Sequence, residues 1–160
     1  MKTILGVIAI VLAAVPIAST AQTSDELKLG RDIVDTQKNL LVLQKKMVVL
    51  QNMDMTAQEK SAFWPIYDEF QKELNKLDER TLKLIKEYAR NYEQLSDDKA
   101  HELISDFLDV EQARIELKKK YLKNFQKALP KKKVARYYQI ENKLEAKASL
   151  ELSQEIPLMK

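Results

Sequence analysis

Among side chains that ligate metals or attack substrates, the 160-residue chain offers one histidine, His101, and no cysteine. Transition-metal sites want several nitrogen or sulfur ligands. His101, with Asp98 and Glu102 beside it, supplies one nitrogen on a charged stretch and reads as a solvated surface residue. No nucleophile is patterned with a histidine base, and no glycine-rich phosphate loop or other cofactor motif occurs. The carboxylates fall at spacings ordinary for helix faces, with Asp68/Lys72, Glu79/Lys83 and Glu116/Lys120 as i,i+4 pairs. The expectation is a protein that is not an enzyme and holds no metal or cofactor.

A different chemistry is concentrated further along. Lys118, Lys119, Lys120, Lys123, Lys127, Lys131, Lys132, Lys133 and Arg136 crowd a short stretch that also carries Tyr121, Phe125, Tyr137 and Tyr138. The formal net charge is only +3, yet it is strongly divided. From Asp54 to Glu111 there are 15 acids against 8 bases, and from Arg114 to Lys147 there are 12 bases against 3 acids. Three readings stay open: a solvated face whose cations suit the C-terminal end of a helix, an electrostatic surface for acidic or unfolded polypeptides, and a surface for nucleic acid or anionic lipid. The residues singled out for polypeptide binding are Lys118, Lys119, Lys123, Lys127, Lys132, Arg136 and Tyr137.

The N-terminus bears on which partners are reachable. Met1-Lys2 gives a positive start, Ile4 to Val15 is an apolar run of 12 residues, Pro16 breaks it, and Ser19-Thr20-Ala21 presents small residues before Gln22. That is the pattern of a cleavable export signal over residues 1–21. The run is too short to span a bilayer, which takes about 20 apolar residues. The expectation is export to the periplasm, no stable membrane insertion after processing, and no nucleic-acid partner. Residues 22–160 then form a single α-helical domain, whose lack of cysteine leaves packing alone to stabilise it.

Helices must position these groups. After the export signal the chain contains one glycine, Gly30, and three prolines, Pro65, Pro130 and Pro157. Apolar residues recur at steps of three and four: Ile33, Thr36, Leu40, Leu43, Met47 and Leu50, then Phe63, Tyr67, Phe70, Leu74, Leu77, Thr81, Leu84 and Tyr88. A third set runs Leu103, Phe107, Val110, Leu117, Tyr121 and Phe125, widened by Ile104, Leu108, Ile115, Leu122 and Leu129, and a fourth runs Val134, Tyr137, Leu144, Ala148 and Leu152. This predicts an all-α fold of four main helices, the middle pair forming a long antiparallel hairpin flanked by the others. Pro65, about two turns into the second helix, should kink it or cut off a short first segment. Phe63 and Trp64 are expected in the core. Helix starts are marked by Thr56 with Glu59, which form a capping box, by Ser96 ahead of Asp97 and Asp98, and by Pro130.

At these joints, in the forms MTAQE, LSDDK and LPKKK, the chain resembles the Spy/CpxP family of bacterial periplasmic proteins, whose helix starts carry Leu-Thr-x-x-Gln motifs. The likeness runs from about Leu40 to Leu158, with Glu59, Lys99 and Lys133 standing where the family has glutamine. It implies a helical hairpin that forms a homodimer, and an ATP-independent chaperone or envelope-stress accessory protein that binds unfolded or partner proteins. The alternative is a structural or signalling protein that docks one folded periplasmic partner.

One residue interrupts the third stripe. Arg114 falls between Val110 and Leu117, and a buried guanidinium without a partner would be costly, so a carboxylate should face it. With the hairpin turning near Glu93 to Ser96, residues whose numbers add to about 190 should lie opposite one another, to within about a turn. That makes Asp78 the expected partner of Arg114, with Glu79 second.

Overall fold

The computed structural model describes residues 40–158. The expected export signal, Ile33 and Thr36 lie outside that range. The chain divides into two units, Met1–Leu41 and Val42–Lys160, and all but the first two described residues belong to the second. The described helices are α1 (40–52), α2 (Ala57–Asn91), α3 (Asp97–Ala128) and α4 (Lys131–Glu155), and no strand occurs among the described residues. The fold is all-α. None of these helices is long and apolar enough to cross a membrane.

The helix starts follow from local chemistry. At α2 the Thr56 hydroxyl accepts from the Glu59 amide at 3.2 Å, while the Glu59 carboxylate accepts from the Thr56 amide at 2.7 Å, so both halves of the capping box are formed. Ser96 caps α3 by accepting from the Lys99 amide at 3.3 Å. Pro130 precedes α4, where its carbonyl accepts from Lys133 and Val134. Pro65 does not divide α2, which is continuous from Ala57 to Asn91. Proline removes one donor from the ladder, and a 35-residue helix held along its length by a neighbour tolerates that loss.

Packing makes α2 and α3 an antiparallel hairpin. Phe63 meets Phe125 at 5.5 Å between ring centroids, Phe70 meets Tyr121 at 5.3 Å, and Lys99 pairs with Glu87 near the turn. α4 folds back beside both: Tyr137 contacts Phe63 at 5.2 Å and Phe125 at 4.7 Å. The core is therefore concentrated at the open end of the hairpin, where Phe63, Tyr67, Phe70, Tyr121, Phe125 and Tyr137 join Val49, Met53, Met55, Leu129 and Val134. Phe63 is buried and Trp64 packs on the cluster from its edge. The sequence stripe of α1 is turned outward, since Leu43, Met47 and Leu50 are exposed and Val49 is buried. α1 docks through its last turn and the following Met53 and Met55, so its apolar stripe does not choose its inner face.

Arg114 settles the hairpin register. Its Nη1 donates to Asp78 Oδ1 at 2.7 Å, as the register argument expects, and its Nε lies 3.4 Å from Glu111 and 3.5 Å from Glu145. The Arg114 side chain is 10% exposed and that of Asp78 46%. Burial acts to lower the arginine pKa, but Asp78, Glu145 and Glu111 together hold it above its ordinary value. One arginine thus ties α3 to α2 and to α4. Arg114→Ala should cost about 1–3 kcal/mol, toward the lower end because Asp78 is half in water. In a double-mutant cycle with Asp78→Ala, urea unfolding should show losses that are less than additive.

Candidate functional site

The basic stretch expected to bind polypeptide resolves into two groups with different work. Lys118 donates to Glu145 at 2.5 Å and lies 3.5 Å from the Asn142 side-chain oxygen, while its own carbonyl accepts from the Tyr138 hydroxyl at 2.6 Å. It fastens α4 to α3. Arg136 Nε donates to the Asn52 carbonyl at 2.6 Å and so satisfies a terminal backbone acceptor of α1. Lys119, Lys123, Lys127 and Lys132 are exposed and make no ion pair with the described residues.

Tyr137 is a correction. It is fully buried, its ring packed among Phe63, Phe125 and Tyr138, and it cannot present a binding surface. On α4 it shares a face with Val134 and Glu141, and that face is the one turned into the hairpin. Its neighbour Tyr138, one residue on, points to the edge of the core.

Between α3 and α4, Ile115, Leu122, Ala135 and Tyr138 line a shallow groove of about 320 Å³, with Lys118 and Lys119 at its sides. Ile115 and Leu122 are well exposed although they are large and apolar. They were visible in the sequence as residues widening the third stripe, but their separation from the core was not. Around the helix they sit about a third of a turn from Leu103, Val110 and Tyr121, because each residue advances about 100°. The groove offers an apolar floor and long-chained cations, with little to fix the orientation of a ligand.

A second polar cluster lies inside. Glu141 is 2% exposed, accepts from Gln71 Nε2 at 3.1 Å and from the Tyr137 hydroxyl at 3.4 Å, and has Lys45 of α1 at 3.9 Å. Burial first, and the charge of Glu141 second, raise the pKa of Tyr137 and push that of Tyr138 up to about 12, so both hydroxyls stay protonated and donate. Tyr67 is raised for the same two reasons, and its buried hydroxyl has no hydrogen-bond partner among the described residues. The spacing of Val134, Tyr137, Glu141 and Leu144 could have revealed this acid on an apolar stripe, by the reasoning that found Arg114. The cluster joins α1, α2 and α4, which is a structural duty.

Other ion pairs also cross between elements. Lys46 reaches Asp68 at 2.6 Å, so Asp68 pairs with α1 rather than with Lys72 on its own helix. Lys133 reaches Glu59 at 2.7 Å and thereby joins the start of α4 to the cap of α2. His101 is exposed, and the described residues include no group of three or more His, Cys, Asp or Glu able to hold a metal ion. The chain matches no protein-family model, no curated protein and no solved structure.

The Glu59 carboxyl is held below its ordinary value of 4.5, chiefly by the hydrogen bond from Lys133 and then by that from the Thr56 backbone. A lowered carboxyl pKa binds fewer protons folded than unfolded. Its contribution is complete above the unfolded value and disappears as pH falls through the folded value. Lys133→Met should therefore lower the urea midpoint at pH 7. The gap from the unaltered protein should close as the pH is taken down from about 5 to about 2, a range chosen to span ordinary carboxyl titration and the region below it.

Proposed function

We propose that this chain is an exported, periplasmic, ATP-independent chaperone or envelope-stress accessory protein that binds non-native proteins and forms a homodimer. The observation that carries this reading is the α3–α4 groove, where exposed Ile115 and Leu122 lie beside Lys118 and Lys119. Unfolded polypeptides display apolar side chains that a folded protein hides, and a shallow apolar floor takes many of them weakly. Exposed lysines add a longer-ranged attraction for acidic segments, which salt screens. Few fixed polar partners line the groove, so sequence selectivity is low. The resemblance of the MTAQE, LSDDK and LPKKK joints to the Spy/CpxP family supports the same reading.

The test is suppression of aggregation of two unrelated client proteins, without ATP. The purified protein should protect both, and protection should weaken as salt rises. Leu122→Ser, at a residue already exposed, should lower protection severalfold while leaving the helical circular dichroism unchanged. If neither client is protected and one folded periplasmic protein binds tightly, the chain is instead a dedicated docking protein.

A further inference from the structure

An ordinary surface helix turns its apolar stripe to the core and its charges to water, and α1 does the reverse. The only charged residues from Val42 to Asn52 are Lys45 and Lys46, and both are engaged with the body. Lys45 reaches the buried Glu141 at 3.9 Å. Lys46 pairs with Asp68 at 2.6 Å and lies over the Trp64 ring at 5.7 Å. Leu43, Met47 and Leu50, at steps of four and three, are 59%, 51% and 41% exposed. Gln44 and Gln51 are the exposed polar residues beside them, so the outer face of this stretch is uncharged. Inward-held lysines thus keep α1 on the body with an apolar ridge presented outward.

The edge of α4 beside that ridge indicates the chemistry of its partner. Arg136 donates to the Asn52 carbonyl and Glu141 meets Lys45, so α1 runs antiparallel along α4. Lys132, Arg136, Lys143 and Lys147 recur at steps of four, seven and four, and all are exposed. At about 100° per residue these steps keep them on the edge that Arg136 occupies. The two acids within the same span do not balance them. Glu141 is buried, and Glu145 is engaged by Lys118 and Arg114. Just beyond, Glu151 lies 4.0 Å from Lys147, with both side chains largely in water. On the α2 side Asp68 is matched by Lys46. The face therefore joins an apolar ridge, about 10 Å long at 1.5 Å per residue, to a row of cations. It is distinct from the client groove, which Ala135 and Tyr138 line on the edge of α4 next to α3.

We propose that this face docks on an anionic bilayer surface, with Leu43, Met47 and Leu50 entering the interface and the α4 cations lying among the lipid headgroups. None of the described helices is long and apolar enough to cross a membrane, so the contact is peripheral. A bilayer needs no fixed polar partner, and it offers apolar depth and uniform negative charge together, as this face requires. Neither part suffices alone. Three apolar side chains hold weakly, and exposed cations are screened by salt. Docking is therefore reversible, and it leaves the α3–α4 groove open to clients.

Vesicle sedimentation tests this. The purified protein should sediment with vesicles of phosphatidylglycerol and stay in solution with vesicles of phosphatidylcholine. Raising salt from about 0.1 M to about 1 M should release it. Lys143→Gln with Lys147→Gln should weaken binding about tenfold, since each base near an anionic surface adds several-fold. Leu43→Ser with Met47→Ser should also weaken it severalfold. Both double variants should keep the helical circular dichroism, because all four residues are exposed. The chain has no cysteine, so an environment-sensitive dye can be attached at one chosen position. On phosphatidylglycerol vesicles a dye on Met47→Cys should shift to the blue, whereas one on Leu122→Cys, in the client groove, should not. Equal binding to both lipids, no binding to either, or binding that survives both pairs of substitutions would each overturn the proposal. So would a shift at Leu122 in place of Met47. A Met47 dye that ignores vesicles and responds to a soluble acidic protein would instead mark the face as a protein-docking surface, and the bilayer proposal would fail.

Discussion

Everything in the helical body hangs on one aromatic contact set at the open end of the hairpin. Phe125 and Tyr137 approach to 4.7 Å, and Phe63 and Phe70 close on the same pair at 5.2–6.4 Å. These four rings come from α2, α3 and α4, and they fix the two joints that deliver α1 and α4, through Met53 and Met55 on one side and Leu129 and Val134 on the other. Aromatic side chains bury large areas with few rotatable bonds, which suits a chain without disulfides. Toward the turn the burial thins to Val110, Leu103 and Tyr88. There Tyr88 donates its hydroxyl to the Pro157 carbonyl at 2.8 Å, which brings the tail after α4 back onto α2.

Polar groups take over where the rings end. Glu141 with Gln71 and Tyr137, and then Arg114 with Asp78, Glu111 and Glu145, follow one another along the hairpin. Each joins at least two elements, and each is costly to leave half-made, so they reject wrong registers that apolar stripes alone would accept. A stripe shifted by one turn would still bury leucines, but it would strand a guanidinium or a carboxylate. Arg114 and Glu141 therefore belong to the architecture, whereas the exposed Lys119, Lys123, Lys127 and Lys132 take no part in it.

The helices, their caps and the Arg114–Asp78 pair were legible in the sequence because they depend on local chemistry and on the geometry of a single turn. Thr56 and Glu59 are three residues apart, and Asp78 follows from where the hairpin must reverse. What could not be read was which of two competing stripes faces inward. On α1 the regular Leu43, Met47 and Leu50 lost to Val49, whereas on α3 Leu103, Val110, Tyr121 and Phe125 of the expected stripe are buried and Ile115 and Leu122, which widen it, are exposed. Periodicity identifies apolar faces, whereas a third helix decides which is covered. Tyr137 was assigned to the binding surface as well as to the stripe of Val134 and Leu144, and the structure follows the stripe.

Native-state hydrogen exchange tests most directly whether stability is centred on the aromatic end. Amides open in cooperative units, and those in the best-packed region exchange only through global unfolding. The account predicts the strongest protection in α2 around Phe63 to Leu74 and in α3 around Leu117 to Phe125. Protection should decline steadily toward Tyr88, Asn91 and Leu103. Protection that is uniform along the hairpin, or greatest beside the turn, would contradict it.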